Sequence, residues 1–222
     1  MRNRYLKHAH ISERKFKQIL MRFCEDFTAE QTSKITSISR NTINGLFGKF
    51  RARILLQTSS SMDLDGEVEV DESYFGARRV RGKRGRGARG KIPVVGLLKR
   101  EGQVYTQVVK NCTKEQLMPI LRGKILADTT VYTDGWTSYD SLILHGYKHY
   151  RIHHSENEFA RGKNHVNGIE SFWSYTKRRL NRFNGIRKDK FLLHLKESEF
   201  RFNQRGVNMY KELLKNFREN SL

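Results

Sequence analysis

The spacing of hydrophobic residues predicts three helices near the start of the chain. Ser12, Thr28 and Ser39 stand where N-caps are expected, each shortly before a run whose apolar positions are three or four apart. These positions include Phe16, Ile19, Leu20 and Phe23 in the first run, and Ile43, Leu46, Phe47 and Phe50 in the third. The tight connection between the second and third runs is typical of a helix-turn-helix, although a plain helical bundle would show the same pattern.

Beyond a polar segment at residues 57–66, the pattern changes to that of strands. Strands are predicted at residues 67–75, 92–99, 104–109 and 129–132. Thr113 can cap a helix before the last of them, and two amphipathic helical runs separated by Gly206 follow near the end of the sequence. We therefore predict an α/β protein with a helix-turn-helix domain at residues 1–60, followed at residues 61–222 by a mixed sheet with flanking helices.

Composition indicates the kind of partner. The chain has 43 Lys and Arg against 23 Asp and Glu, a net charge of +20, as expected of a protein that neutralises phosphates. The sequence has no apolar run long enough to cross a membrane and no signal-peptide pattern, so a cytoplasmic location is expected. The two cysteines, Cys24 and Cys112, lie far apart, which argues against a disulfide framework or a zinc ribbon.

A basic, glycine-rich segment lies between the first two predicted strands. From Arg78 to Lys91 it has eight basic residues, four glycines and no acid. Residues 85–90 fit a dinucleotide-binding fingerprint and residues 85–92 nearly fit a phosphate-binding loop, but both require a following helix, and here a strand follows. We predict a loop that tracks a DNA backbone, with a solvated hairpin tip as the alternative. Its candidate contacts are Arg78, Arg79, Arg81, Lys83, Arg84, Arg86 and Arg89.

Three acidic residues stand in contexts that suit metal ligands. Asp71 lies in an alternating run, Asp134 follows a β-branched run, and Glu170 lies in a helical stretch. Carboxylates from two strand ends and a following helix can converge on a pair of Mg²⁺ ions, which can clamp the attacking and leaving oxygens of a phosphodiester. Taken singly, each acid could be an ordinary turn or surface residue. Together, on a basic chain, they predict polynucleotidyl transfer.

Further candidates surround these acids. On the polar face of the helix with Glu170, Asn167 is a possible neighbour of the metal site, and Lys177 and Arg178 either position DNA or form a plain solvated face. In the predicted recognition helix, the residues expected to reach base edges are Arg40, Asn41, Thr42 and Asn44. Four histidines, His145, His149, His153 and His154, suggest zinc, but neither cysteine partners nor a helical frame supports that interpretation.

Three motifs carry a resemblance to a known family. The segments Val68–Gly76, Val131–Gly135 and His165–Trp173 resemble the DDE-type transposases of small bacterial insertion sequences, and the resemblance covers about residues 65–205. Asp71, Asp134 and Glu170 match the acidic triad of that family. The resemblance implies a ribonuclease-H-like catalytic domain, two Mg²⁺ or Mn²⁺ ions per active site, and movement of an element that ends in short inverted repeats.

A mechanism follows from the two-metal expectation. Asp71 would bridge both ions, and Asp134 and Glu170 would each complete one, so that hydrolysis at the element end frees a 3′ hydroxyl for joining to target DNA. Joining two ends in one event requires a homodimer or larger assembly on double-stranded DNA, in the bacterial nucleoid. A regulator descended from a transposase stays open as an alternative, since it would need no intact triad. So does a ribonuclease-H-like nuclease or resolvase, which would lack strand transfer.

Overall fold

The structure is a computed structural model that describes residues 3–7, 10–58, 63–76, 90–134, 146–152 and 167–222, without the side chains of Asp134, Arg151 and Ile152. The helices are α1 (Glu13–Cys24), α2 (Ala29–Thr36), α3 (Arg40–Thr58), α4 (Lys114–Arg122), α5 (Asn167–Asn181), α6 (Lys188–Asn203) and α7 (Met209–Glu219). The strands are β1 (Glu67–Phe75), β2 (Ile92–Lys99), β3 (Val104–Val108), β4 (Thr130–Asp134) and β5 (Lys148–Ile152). In this described part, no helix is both long and apolar enough to span a bilayer.

The predicted helix starts near the beginning of the chain are confirmed. Ser12 accepts a hydrogen bond from the backbone N–H of Lys15 and begins α1. Thr28 and Gln31 form a reciprocal capping box at the start of α2, which satisfies donors that a helix N-terminus leaves without partners. Ser39 accepts from the backbone N–H of Thr42 in the first turn of α3. All three helices therefore begin where the sequence predicts.

Helix α7 belongs with these N-terminal helices. The chain divides into two units, Met1–Ser59 with Gln204–Leu222, and Ser60–Asn203. Phe217 of α7 is fully buried, with its ring centroid 6.1 Å from that of Phe16 and 5.2 Å from that of Phe50. The sequence-based division placed residues 204–222 with the sheet instead. The contacts of Phe217 differ from that placement. An apolar stripe predicts that one face of a helix is buried, but it does not predict which residues cover that face.

The second unit is built on a five-stranded mixed sheet in the order β3-β2-β1-β4-β5. Strand β2 is antiparallel to both β1 and β3, whereas β4 is parallel to β1 and β5 is parallel to β4. The predicted mixed sheet with flanking helices is confirmed. Strand β5 was not predicted, because three of its five residues are polar or charged and it has only two apolar positions, Tyr150 and Ile152.

The sheet has a hydrophobic core on each face. The core on the α4 face includes Val68, Val70, Leu97, Leu117, Leu121 and Val131. The core on the α5 and α6 face includes Phe75, Tyr132, Ile169, Phe172, Trp173 and Leu195. Because side chains alternate along a strand, Glu69 and Asp71 share the α5 face with Phe75. Glu69 and Asp71 therefore point towards the helix that carries Glu170.

Buried charges tie α6 to its neighbours. Glu197, only 1% exposed, accepts hydrogen bonds from Arg179 of α5 over 2.5 Å and from Arg201 over 2.9 Å. Asn203 bonds both backbone groups of Val104 over 2.8 Å, so α6 also pairs with groups on the edge of β3. Helix α5 is thereby held by α6 as well as by the sheet.

Candidate active site

The parallel pairing of β1 and β4 brings two of the predicted ligands to neighbouring positions. The register of this pair ends with Val70 opposite Thr133. One residue further along, the strands continue with Asp71 and Asp134, and β4 ends there. The backbones of Asp71 and Asp134 are therefore adjacent at the carboxyl end of β4, which is where α/β sheets place their sites. The side chain of Asp134 lies outside the described part.

Helix α5 carries Glu170 in its first turn and lies along β1. The backbone N–H of Ile169 donates to Glu69 Oε2 over 2.9 Å. One turn later, Nε1 of Trp173 donates to Asp71 Oδ2 over 3.0 Å. Glu170, which is exposed, lies between these two points of attachment. The structure therefore brings the turn that carries Glu170 to the strand that carries Asp71.

A glycine on β2 makes room for the indole of Trp173. Gly96 is the register partner of Asp71. A Cβ atom at position 96 would lie 2.5 Å from Cζ2 of Trp173 and 2.9 Å from Cδ1 of Ile169. Non-bonded carbon atoms prefer about 3.5–4.0 Å, so a side chain at this position would push the indole away. Glycine at position 96 is therefore what allows Trp173 to reach the carboxylate of Asp71.

Lys177 adds a cation on the next turn of α5. Its ammonium lies 5.9 Å from the ring centroid of Phe75, two turns beyond Glu170. Desolvation is the main reason that the pKa of Lys177 is lowered; attraction to Asp71 opposes this shift, and repulsion from Lys91 adds to it. Arg178 follows and is exposed. A cation beside an acidic cluster is suited to hold the oxygens of a phosphate.

The donor set fits a hard divalent cation in its chemistry, because Mg²⁺ and Mn²⁺ take carboxylate oxygens. Among the side chains that the structure describes, no group of three or more His, Cys, Asp and Glu could hold a metal ion. The described side chains include those of Asp71 and Glu170, whereas only the backbone of Asp134 is described. Asn167, the first residue of α5, is exposed three residues before Glu170.

The structure describes some of the predicted DNA-contacting residues and histidines, but not all of them. Arg40, Asn41, Thr42 and Asn44 are all exposed at the start of α3. The predicted contacts between Arg78 and Arg89 lie outside the described residues, as do His145, His153 and His154. His149 is described on β5, where its Nε2 is hydrogen-bonded to the hydroxyl of Thr133 over 2.9 Å.

Three residues near the site have no functional role in the sequence-based prediction. Trp173 and Glu69 appear there only within the segments His165–Trp173 and Val68–Gly76, and Gly96 does not appear. One signal was available for Glu69: it lies two positions before Asp71 in an alternating strand, so both side chains share a face. Gly96 carries no such signal, because the register of β2 against β1 is needed to place it opposite Asp71.

Comparisons with known proteins found a matching family model, relatives of known sequence and solved structures. A family model for the ISXO2-like transposase domain matches residues 63–203. An uncharacterized transposase-like protein of Haemophilus influenzae is 45% identical over 120 residues, which cover 54% of this chain and 97% of that protein. An uncharacterized protein in transposable element ISH50 of Halobacterium salinarum is 33% identical over 170 residues, covering 68% of this chain and 58% of that protein. The catalytic core domain of HTLV-2 integrase in complex with magnesium is 14% identical, with a TM-score of 0.42 over 65% of this chain and 88% of that one.

Proposed function

Because the chain belongs to the ISXO2-like transposase family, we propose that it binds the terminal inverted repeats of an insertion sequence, cleaves the element ends and joins them to target DNA. The observation that carries this proposal is the pairing of β1 with β4, which continues into Asp71 and Asp134 side by side. The attachment of α5 to β1 on both sides of Glu170 supports it.

Asp71, Asp134 and Glu170 would hold two Mg²⁺ or Mn²⁺ ions. When bound, such ions supply the positive charge that activates water and stabilises the attacking and leaving oxygens of a phosphodiester. Trp173 orients the carboxylate of Asp71 through its indole N–H. Lys177 and Arg178 would hold non-bridging phosphate oxygens, and Asn167 would hydrogen-bond to groups beside Glu170.

The chemistry consists of two displacements at phosphorus. In the first, the oxygen of water bonds to phosphorus and the bond to the 3′ oxygen breaks. The 3′ oxygen takes up a proton, which leaves a 3′ hydroxyl on one side of the nick and a 5′ phosphate on the other side, in the same strand. In the second, that 3′ hydroxyl loses its proton to solvent and bonds to a target phosphorus, and the 3′ oxygen of the target leaves. One phosphodiester forms as another breaks, so no nucleotide is needed as an energy source.

The proposal is tested with purified protein, Mg²⁺ and a labelled duplex that carries the terminal repeat found beside the coding region. We expect a nick at the repeat end and, with a second duplex present, a product in which the two DNAs are joined. Nicking without joining would favour a ribonuclease-H-like nuclease. Repeat binding without any Mg²⁺-dependent cleavage would favour a regulator and contradict the proposal.

We assign end recognition to the unit that contains α1 to α3 and α7, with α2 and α3 acting as a helix-turn-helix. Arg40 and Asn41 are exposed at the start of α3, where side chains of a recognition helix reach base edges. Replacing both with Ala should weaken binding to terminal-repeat DNA by about 1–3 kcal/mol for each lost bidentate base contact, and leave binding to random DNA much less affected. Competition binding at a fixed salt concentration measures the two affinities.

Lys49→Ala is the matched control for this pair. Lys49 is also exposed on α3, nine residues after Arg40, and its ammonium can contact phosphates only as a point charge. We expect the control to weaken binding to both DNAs equally and to reduce the salt dependence. An equal loss for both DNAs in the Arg40 and Asn41 variant would show that α3 does not read the sequence.

Two further parts of the proposal concern the DNA path and the assembly. The basic residues between Arg78 and Arg89 would follow the DNA backbone without reading its sequence. One active site per protomer cannot act on two element ends in one event, so a homodimer or larger assembly would form on paired ends.

A further inference from the structure

Glu69 is a buried acid that the proposed chemistry does not use. Its side chain is 1% exposed. One oxygen, Oε2, accepts the backbone N–H of Ile169 over 2.9 Å, and the other, Oε1, accepts Nε of Arg100 over 3.1 Å. Both oxygens therefore have donors on the protein. A buried carboxylate bonded in this way is suited to a structural or positioning role rather than to metal coordination.

Arg100 links Glu69 to the neighbouring strands. Its Nη1 lies 3.5 Å from Oε2 of Glu67, and its guanidinium lies 3.8 Å from the ring centroid of Tyr132. The hydroxyl of Tyr132 donates to Oε1 of Glu67 over 2.7 Å. This network joins β1, β4 and the turn after β2. Arg100 itself restricts the orientation of the Glu69 carboxylate, because its guanidinium presents a planar set of donors and its Nε–H bonds to Oε1.

The contact with α5 is close and leaves little freedom. A Cβ atom at Gly168 would lie 2.9 Å from Oε2 of Glu69 and 2.4 Å from Cδ2 of Leu98. The backbone at the start of α5 therefore lies directly against β1. The carboxylate accepts a donor at the helix N-terminus, where a negative charge is also favoured by the helix dipole. Glu170 is the next residue after the one whose N–H is bonded.

We propose that Glu69, held by Arg100, is a positioning residue that fixes the first turn of α5 and so places Glu170 for binding divalent metal ions. The inference rests on the proposed function, because it assigns Glu170 to the metal site. Mg²⁺ requires nearly ideal octahedral geometry, so a small displacement of one ligand weakens its binding. Loss of residues that orient metal ligands typically costs about 10- to 100-fold in metal affinity or activity.

Glu69→Gln tests the proposal. The amide has one oxygen and two N–H donors, so it cannot accept from both Ile169 and Arg100, and one of them would face another donor. We expect the Mg²⁺ concentration for half-maximal cleavage to rise by about tenfold or more, with rates that recover at high Mg²⁺. Binding of Mn²⁺ to the protein without DNA, followed by electron paramagnetic resonance of the free ion, should weaken by a similar factor.

Glu67→Gln is the matched control. It also neutralises an acid of β1 that lies beside Arg100, and the contacts described for Glu67 are with Tyr132 and Arg100. We expect its Mg²⁺ dependence and Mn²⁺ affinity to stay within about twofold of the unmodified protein, well short of the change for an orienting residue. Amide hydrogen exchange of the first turn of α5 should become faster in Glu69→Gln and stay unchanged in Glu67→Gln.

Glu69→Asp provides a second variant, because it keeps the charge but shortens the side chain by one methylene. If Glu69→Gln fails to fold, the same shift in Mg²⁺ dependence and Mn²⁺ affinity is expected of Glu69→Asp. Unchanged Mn²⁺ affinity in a folded Glu69 variant, together with loss of Mn²⁺ binding in Asp71→Asn, would overturn the positioning role and leave the proposed function standing. If the unmodified protein neither cleaves DNA nor binds Mn²⁺ through Asp71, the proposed function itself fails.

Discussion

Asp71→Asn should abolish Mg²⁺-dependent cleavage and joining while the protein stays folded and still binds the terminal repeat. The substitution barely changes the volume of the side chain but removes a charge that the proposed metal ions would require. A bound metal contributes several kcal/mol of charge stabilisation in the transition state, so a loss of about a thousandfold or more is expected. Asp134→Asn and Glu170→Gln should behave alike. The measurement is the rate of nicking of a labelled end duplex at saturating Mg²⁺.

Glu72→Gln is the control for Asp71→Asn. Glu72 is the next residue on β1, so its side chain points to the opposite face of the sheet, away from α5. Its removal takes away one acid from the same strand without touching the proposed site. We expect cleavage within about threefold of the unmodified protein, far from the loss expected of a metal ligand. Substantial Mg²⁺-dependent joining by any of the three triad variants would remove that residue from the mechanism.

The local elements could be predicted because their signals are local. A cap such as Ser12 or Thr28 acts within three residues of its helix, and an alternating or continuous apolar run such as β1 or β2 needs no information from elsewhere. Strand β5 gives no such signal, because its polar residues suit a sheet edge and resemble a loop in sequence. The assignment of α3 to DNA recognition remains a prediction, since a helix of this kind in a plain bundle would begin and pack in the same way.

The packing partners could not be predicted, because they depend on contacts between distant residues. Phe217 is visibly on an apolar stripe, yet only its contacts with Phe16 and Phe50 assign α7 to the N-terminal unit. From the sequence alone, a charged residue such as Glu197 is expected on a solvated helix face. It is buried in the structure because Arg179 and Arg201 pair with its carboxylate.

The site could be predicted only in part, because the contacts that support it also join residues that are distant in sequence. The three acids were identified from their motifs, but the adjacency of Asp71 and Asp134 follows from the parallel register of β1 and β4, which the sequence does not contain. Only the packing of α5 on β1 and β2 identifies the residues that support the site, which are Glu69, Trp173 and Gly96. The motifs thus indicated the candidate metal ligands, and the tertiary contacts indicated which residues lie against them.

Gly96→Ala should impair cleavage even though it adds only one methyl group and removes no polar atom of the site. The new Cβ would lie 2.5 Å from Cζ2 of Trp173, so the indole or the strand must move. Overpacking of this kind costs about 1–3 kcal/mol of folding free energy, and about 2–4 °C in melting temperature for each kcal/mol in a domain of this size. Displacing Trp173 also removes the hydrogen bond that orients Asp71, for which we expect about a tenfold or greater fall in cleavage rate.

Two variants separate these effects. Gly48→Ala makes the same chemical change inside α3, where a Cβ would meet nothing within 4 Å, so it should stabilise the protein by about 0.5–1 kcal/mol. Trp173→Phe removes the indole N–H without crowding β2, and should lower the cleavage rate at low Mg²⁺ more than it lowers the melting temperature. Thermal unfolding and Mg²⁺ titrations of cleavage measure both quantities. A Gly96→Ala protein with unchanged melting temperature and Mg²⁺ dependence would mean that Trp173 does not orient Asp71, because the indole would have moved without consequence.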